Sequence, residues 1–204
     1  MRGIVMETVF VATKNAHKVA EFERLLAPLG ASVCGLPDGL DPAPETGTQL
    51  VSNAVEKAAY YAPYCRGWVL ADDSGLCVDA LDGRPGVMSA RYAGVHGDDA
   101  ANNAKLLREL AEIPDAQRTA EFVCALALWH HELCVGLTAV GRVRGIILRE
   151  PHGANGFGYD PLFWVPELGR TFADMTVEEK NQYSHRRRAV DRLLELAAHI
   201  PMVS

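Results

Sequence analysis

Trp68-Val69-Leu70-Ala71-Asp72-Asp73-Ser74-Gly75-Leu76-Cys77-Val78 is the stretch on which the reading of this chain turns. Two short apolar runs, Trp68-Val69-Leu70 and Leu76-Cys77-Val78, flank a pair of carboxylates. Charged residues are rarely placed between buried segments unless they bind something. Adjacent carboxylates repel each other, so both stay ionised at low cost only with a cation beside them. A solvated turn is the competing interpretation, because Asp, Ser and Gly all favour turns. The stretch is read as strand, turn, strand, with the acidic pair on the turn.

Upstream, Thr8 to Ala12 is β-rich and apolar and is broken by Thr13-Lys14-Asn15-Ala16-His17-Lys18. A helical pattern follows, with Val19, Phe22, Leu25, Leu26 and Leu29 on one face and Gly30 as its stop. A Pro/Gly/Asp-rich connection, Leu36 to Pro44, leads to a second helix over Thr48 to Tyr64. Downstream come a Gly/Pro loop (Asp82 to Gly94) and a helix over Asp99 to Ala111. Two long strands, Thr119 to Trp129 and Leu133 to Val143, then join at His130-His131-Glu132 as a hairpin. A glycine-rich loop (Gly153 to Pro161) precedes a short strand at Leu162 to Val165, and helices over Thr176–Gln182 and His185–His199 close the chain. Strands and helices alternate without a repeat or linker, which predicts an α/β protein around a mixed β-sheet flanked by helices. Its 204 residues are enough for one domain spanning residues 1–204, or two lobes on one core.

Composition excludes several classes. Nearly half the residues (49%) are apolar, yet no run approaches the roughly 20 needed to cross a bilayer, so no membrane partner is expected. Met1-Arg2-Gly3-Ile4 does not open the long apolar core of a secretory signal, so a cytoplasmic protein is the expectation. A formal charge of −6 argues against a nucleic-acid binder, which needs a basic surface. The local exception is Lys180 with His185-Arg186-Arg187-Arg188, a cluster better suited to a small anion. The five cysteines (34, 65, 77, 124, 134) contain no CxxC and read as reduced thiols.

Thr13 to Lys18 follows a strand and opens a helix, so free backbone N–H groups and the positive helix end are offered there. Thr13 and Asn15 add donors and Lys18 adds a charge, a set that suits phosphate; an ordinary capped helix start is the alternative. Asn53 and Lys57 lie four apart on one helical face, and Glu45 precedes the turn Thr46-Gly47. Glu45, Asp72 and Asp73 together offer the oxygen ligands of a hard divalent ion, for which magnesium (Mg2+) is the expected choice. Gly156-Phe157-Gly158-Tyr159-Asp160-Pro161 puts two aromatics on flexible backbone, suited to stacking on a flat ring unless they tuck into the core. Lys180 and Ser184-His185-Arg186 bring donors, which favour a base displaying carbonyl oxygens. Arg91 is a candidate phosphate contact. His130-His131 with Glu132 is better explained as a solvated hairpin tip than as a metal site.

These segments in order carry a resemblance. They are Thr13-x-Asn15-x-x-Lys18, Glu45-Thr46-Gly47, Asn53-Ala54-x-x-Lys57-Ala58, Ala71-Asp72-Asp73-Ser74-Gly75-Leu76, Pro85-Gly86-Val87-x-Ser89-Ala90-Arg91-Tyr92, Gly156 to Pro161 and Ser184-His185-Arg186. From about residue 9 to 192 the chain resembles the inosine/xanthosine triphosphate pyrophosphatases. Two departures stand out: Pro44 occupies a position that is often acidic in relatives, and Leu50 one that is often Phe. The resemblance implies a two-lobed fold on an elongated mixed sheet, with the active site in the cleft between lobes, and a homodimer. It implies Mg-dependent hydrolysis of ITP, dITP and XTP to the monophosphate plus pyrophosphate. Asp73 then matches the catalytic acidic residue and metal ligand, with Ser74 beside the substrate. Thr13, Lys14, Asn15, Ala16, His17 and Lys18 match the triphosphate-binding segment, and Phe157, Gly158, Tyr159, Asp160, Lys180, His185 and Arg186 the nucleoside positions. The rivals are a pyrophosphatase of the same fold acting on pyrimidine or modified nucleotides, and a nucleotide sensor without turnover.

Overall fold

The computed structural model describes residues 7–14 and 16–199, with Ala16, His17 and Leu29 as backbone only. Among the described residues five α-helices, α1 (Ala16–Leu26), α2 (Leu50–Tyr61), α3 (Asp99–Glu109), α4 (Val177–Tyr183) and α5 (His185–Ala198), accompany seven strands. The strands are β1 (Thr8–Val11), β2 (Ser32–Gly35), β3 (Trp68–Val78), β4 (Thr119–His130), β5 (Val135–Ile147), β6 (Phe163–Val165) and β7 (Arg170–Thr171). They hydrogen-bond in the order β2-β1-β3-β4-β5-β6-β7. β1 runs parallel to both β2 and β3, whereas β6 is antiparallel to β5 and β7, so the sheet is mixed. Among the described residues no helix is long and apolar enough to cross a membrane, and all five cysteines are free thiols.

The chain packs as two units, the boundary falling inside β3 between Asp73 and Ser74. One unit comprises the chain up to Asp73, Cys124–Gly141 and the chain from Arg187; the other comprises Ser74–Val123 and Arg142–Arg186. In the first, Phe22, Leu25 and Leu26 of α1 lie fully inside with Val9, Val11, Leu70, Leu126 and Val190. That apolar stripe on α1 is the one its 3.6-residue period predicts, and Gly30 ends the segment in a left-handed conformation (φ 65°). In the second, Leu76, Leu106, Phe122, Phe163 and Phe172 form a separate core.

The deciding stretch folds otherwise than expected. No turn interrupts it: Trp68–Val78 is one continuous strand of 11 residues. Strand alternation then sends neighbouring side chains to opposite faces, which separates the two carboxylates without any turn. Gly75 serves close packing here. A Cβ at that position would stand 2.3 Å from the Gly86 carbonyl oxygen and 2.9 Å from Ser89 Oγ, and Ser89 Oγ itself receives the Leu76 N–H at 2.9 Å. Gly75→Ala is therefore expected to cost about 3 kcal/mol, read by calorimetry as a fall of about 6–12 °C in Tm. An unchanged Tm would show that this approach is not required.

Other differences have local causes. α2 stops at Tyr61 and tightens to a 3-10 turn over Ala62–Tyr64, because Pro63 lacks the N–H that would continue the α ladder. β5 begins at Val135, after a turn that holds Cys134 at φ 50°, and continues to Ile147. Arg142 and Arg144 do not end it; they point outward on the period-2 pattern and pair with Glu121 and Asp79. β2 and β7 carry no sequence signal, being four and two residues long.

The first unit's topology places a binding crevice. From β1 the chain passes through α1 to β2 on one side, then through α2 to β3 on the other side of β1. In parallel α/β sheets the carboxyl ends of the strands flanking such a reversal are where ligands bind. Here Thr13 follows the end of β1, and Asp72 with Asp73 lie within β3 just past Leu70, the last residue that pairs with β1.

Candidate active site

Asp72 lies almost wholly inside the protein (2% exposed), and Lys18 from α1 places Nζ 3.1 Å from each of its carboxylate oxygens. Asp73 meets α2 instead. Asn53 Nδ2 donates to Asp73 Oδ2 at 2.9 Å, while Asn53 Oδ1 accepts from the Gly47 N–H at 2.8 Å. One buried amide thus ties the segment after Glu45 to the strand that carries Asp73. Lys57, one turn along α2, donates to the Asp72 main-chain oxygen at 3.2 Å and forms an ion pair with Glu45.

Burial raises the pKa of the Asp73 carboxyl; the Asn53 hydrogen bond and the Lys57 charge oppose this, while Glu45 and Asp72 add to it. Burial pulls the Lys57 ammonium down, but its hydrogen bond to Glu45 and the charges of Asp72, Glu45 and Asp73 leave its pKa raised. The site therefore interleaves three carboxylates with two lysines. Among the described residues no three His, Cys, Asp or Glu side chains converge as a ready-made metal cage. Glu45 and Asp73 nonetheless fit a hard cation. Both offer oxygen donors, and Asp73 is held in a desolvated position near two other carboxylates, a charge that an added cation relieves.

Of the expected phosphate segment, Thr13 is half-buried, with its N–H bonded to the Val11 carbonyl at 2.8 Å, and Lys14 faces solvent. Asn15, and the side chains of Ala16 and His17, lie outside the described residues. A cavity of about 440 Å³ opens beside this loop, walled by Thr13, Lys14, Val19 and residues 35–40. None of the three carboxylates lines it.

The expected nucleoside residues gather in the second unit. Lys180 Nζ lies 4.8 Å from the centre of the Phe157 ring and 5.4 Å from that of Phe172. It also donates to Asp160 Oδ2 at 2.5 Å. The Arg186 guanidinium stands 5.8 Å from the Phe157 ring, and His185 stacks on Phe122 at 5.0 Å. Asp160 Oδ2 accepts the Phe157 N–H as well, at 3.0 Å. The two aromatics of the loop are not equivalent. Phe157 is 60% exposed, whereas Tyr159 is buried and donates its hydroxyl to the Ser89 carbonyl at 2.9 Å. Tyr159 is thus a structural anchor, a correction to the reading that offered both rings. Ser74 and Arg91 are half-buried; Arg91 ends a 3-10 turn over Gly86–Arg91.

Residues 9–196 match the family model described as the Ham1 family. The chain belongs to the Ham1 family. It is 51% identical over 195 residues to the dITP/XTP pyrophosphatase of Geobacillus kaustophilus, covering 93% of this chain and 94% of that protein. To the dITP/XTP pyrophosphatase of Shigella flexneri it is 46% identical, covering 93% and 98%. The solved Staphylococcus aureus Ham1 protein superposes with a TM-score of 0.83 at 38% identity, covering 93% of this chain and 97% of that one.

Some residues that build this Ham1 site carry no motif of their own. Glu56 accepts from Thr46 N and Oγ1 at 2.9 and 3.0 Å. The Tyr61 hydroxyl accepts from Ala43 N at 2.9 Å and donates to the Asp41 carbonyl at 3.1 Å. With Asn53 they fasten the extended segment 41–47 along α2. For Tyr61 the only sequence signal is spacing, since it follows Asn53 and Lys57 at every fourth residue on one helical face; Glu56 carries none. Asp99 and Asn103, which hold Gly158 from α3, are likewise absent from the motif reading.

Proposed function

We propose that this Ham1 chain hydrolyses deaminated purine nucleoside triphosphates (ITP, dITP and XTP) to the monophosphate and pyrophosphate, with Mg2+ as cofactor. The observation that carries this is the interleaving of Glu45, Asp72 and Asp73 with Lys18 and Lys57, just past the point where β3 parts from the end of β1. Lysines alone would bind a polyphosphate; desolvated carboxylates among them serve a reaction at it. The names borne by the relatives above support the same substrate class.

When bound, magnesium supplies Lewis-acid stabilisation of the charge that develops as a phosphoanhydride breaks. Glu45 and Asp73 would hold it. Lys18, Lys57 and Arg91 bind and orient the triphosphate, with the N–H groups in the first turn of α1 as further donors. Asp73 orients the attacking water and accepts its proton at a carboxylate oxygen. Asp72 keeps Lys18 in place. Phe157 offers a face to the purine, while Lys180, His185 and Arg186 present donors to its 6-oxo group, where adenine would present an amino donor. An unpaired donor-to-donor meeting in a closed pocket discriminates by as much as about 10⁴-fold.

We further propose a homodimer acting in the cytoplasm on free nucleotides, with no nucleic-acid partner. Pyrophosphate release from a panel of ITP, dITP, XTP, ATP, GTP and pyrimidine triphosphates, with and without magnesium, tests the assignment. Fast release confined to the deaminated purines and abolished by chelator is the expected result; equal rates across the panel would refute it. In the same assay Arg186→Ala is expected to narrow the ITP-over-ATP ratio of kcat/KM by about 10-fold or more. An unchanged ratio would remove Arg186 from base recognition.

A further inference from the structure

Gly158 is the one residue of the 156–160 loop whose two backbone polar groups are both taken by side chains from a single helix. Asp99 Oδ2 accepts its N–H at 2.7 Å, and Asn103 Nδ2 donates to its carbonyl at 2.8 Å. Asp99 and Asn103 are four apart in α3, so they project from one face. The chemistry at each is specific: position 99 must accept, position 103 must donate. Asn103 meets that demand at a cost, because its Oδ1 is buried and accepts no hydrogen bond among the described residues. What the amide gains there is the bond its nitrogen donates to the Gly158 carbonyl. Gly158 itself sits at φ 62°, a left-handed conformation that would otherwise be free to relax.

The clamp acts on the residue next door. Phe157 is the one strongly exposed ring of this loop, and on its other side the loop is fixed by the Asp160 carboxylate, which accepts the Phe157 N–H at 3.0 Å. The backbone carrying the ring is therefore held at both ends, from α3 at Gly158 and from Asp160. A mobile ring loses orientational freedom when a base stacks on it, and a ring already fixed does not.

We propose that Asp99 and Asn103 are positioning residues for the base-binding step: by gripping Gly158 they pre-orient Phe157 and so set the affinity for the purine. This rests on the reading of Phe157 as the platform for the base. It predicts a loss confined to binding at that end of the nucleotide. Asn103→Ala and Asp99→Ala are each expected to raise KM for ITP about 10-fold with kcat kept within about 2-fold, and Asp99→Asn, which keeps an oxygen acceptor, to restore a near-normal KM. Inhibition by inorganic tripolyphosphate, which lacks a base, should stay unchanged in all three. In a Phe157→Ala background, Asn103→Ala should add less than about 2-fold.

The outcomes separate the two ideas. If Phe157→Ala itself leaves KM for ITP unchanged, the platform reading fails. If Phe157→Ala raises KM but the two alanine variants do not, the positioning role fails while the platform stands. A parallel loss of tripolyphosphate inhibition, or additive effects in the double variant, would mean a general structural disturbance and would overturn the proposal.

Discussion

Asp73→Asn is expected to lower kcat for ITP hydrolysis by about 10²-fold or more, with KM kept within about 3-fold. The amide preserves the shape and can still accept the Asn53 Nδ2 hydrogen bond through its oxygen. What it loses is the negative charge and the capacity to take a proton. Stability should move the other way. Burial lifts the Asp73 pKa in the folded protein above its ordinary value. The ionised carboxylate therefore disfavours folding, and this penalty grows as pH rises from the ordinary carboxylate range through the folded-state pKa. Asparagine removes it, so in the presence of chelator the variant should melt at or above the wild-type Tm. A variant with lost activity and a lowered Tm would make Asp73 a structural residue; near-normal turnover would remove it from catalysis altogether.

Lys18→Met should behave in the opposite sense, losing stability as well as activity. Lys18 faces both oxygens of a carboxylate that is only 2% exposed. Removing the cation from such a pair costs more than the pair's own net contribution, because the desolvated charge remains. Lys18 is itself about one-third exposed, so water offsets part of the loss, and about 2 kcal/mol is expected, read by urea denaturation. The double variant Lys18→Met/Asp72→Leu then distinguishes two roles. Replacing both charges with apolar groups should recover at least half of the lost stability, since a buried ion pair and a hydrophobic pair are often equivalent. Turnover should stay low, because the lysine proposed to meet the triphosphate is still missing. Recovery of both would confine the pair to folding; recovery of neither would show that Asp72 supports the strand through other contacts.

The sequence made the longer, regular elements legible because their hydrophobic period is local. α1, α3, β4 and the two C-terminal helices all lie within a few residues of where apolar spacing places them. β2 and β7 escaped because edge strands of four and two residues have too few positions to show a period. The acidic stretch misled for a different reason. Asp, Asp, Ser and Gly have turn preferences that are real but weak, and they are overridden when neighbouring strands and a close backbone approach at Gly75 fix an extended conformation. Of the site, the charged residues were visible because their chemistry is unusual for their positions. The residues that orient them were not: Glu56, Tyr61, Asp99 and Asn103 look like ordinary helix residues until the segments they hold are brought alongside. The burial of Tyr159 beside an exposed Phe157 was equally invisible, since it depends on Ser89, 70 positions away.

Because β3 runs unbroken through Asp72 and Asp73, two chemically identical neighbours are assigned to different helices by parity alone. Deleting one residue from 68–71 would present to Lys18 the aspartate that belongs with Asn53 and bring Ser74 to Asn53 in its place. Their duties are therefore set by odd and even numbering along a pleated ribbon, and a saturation scan should return unlike profiles at adjacent codons. Scored by folding, position 72 should tolerate apolar substitutes when position 18 changes with it; scored by turnover, position 73 should tolerate none whatever accompanies it.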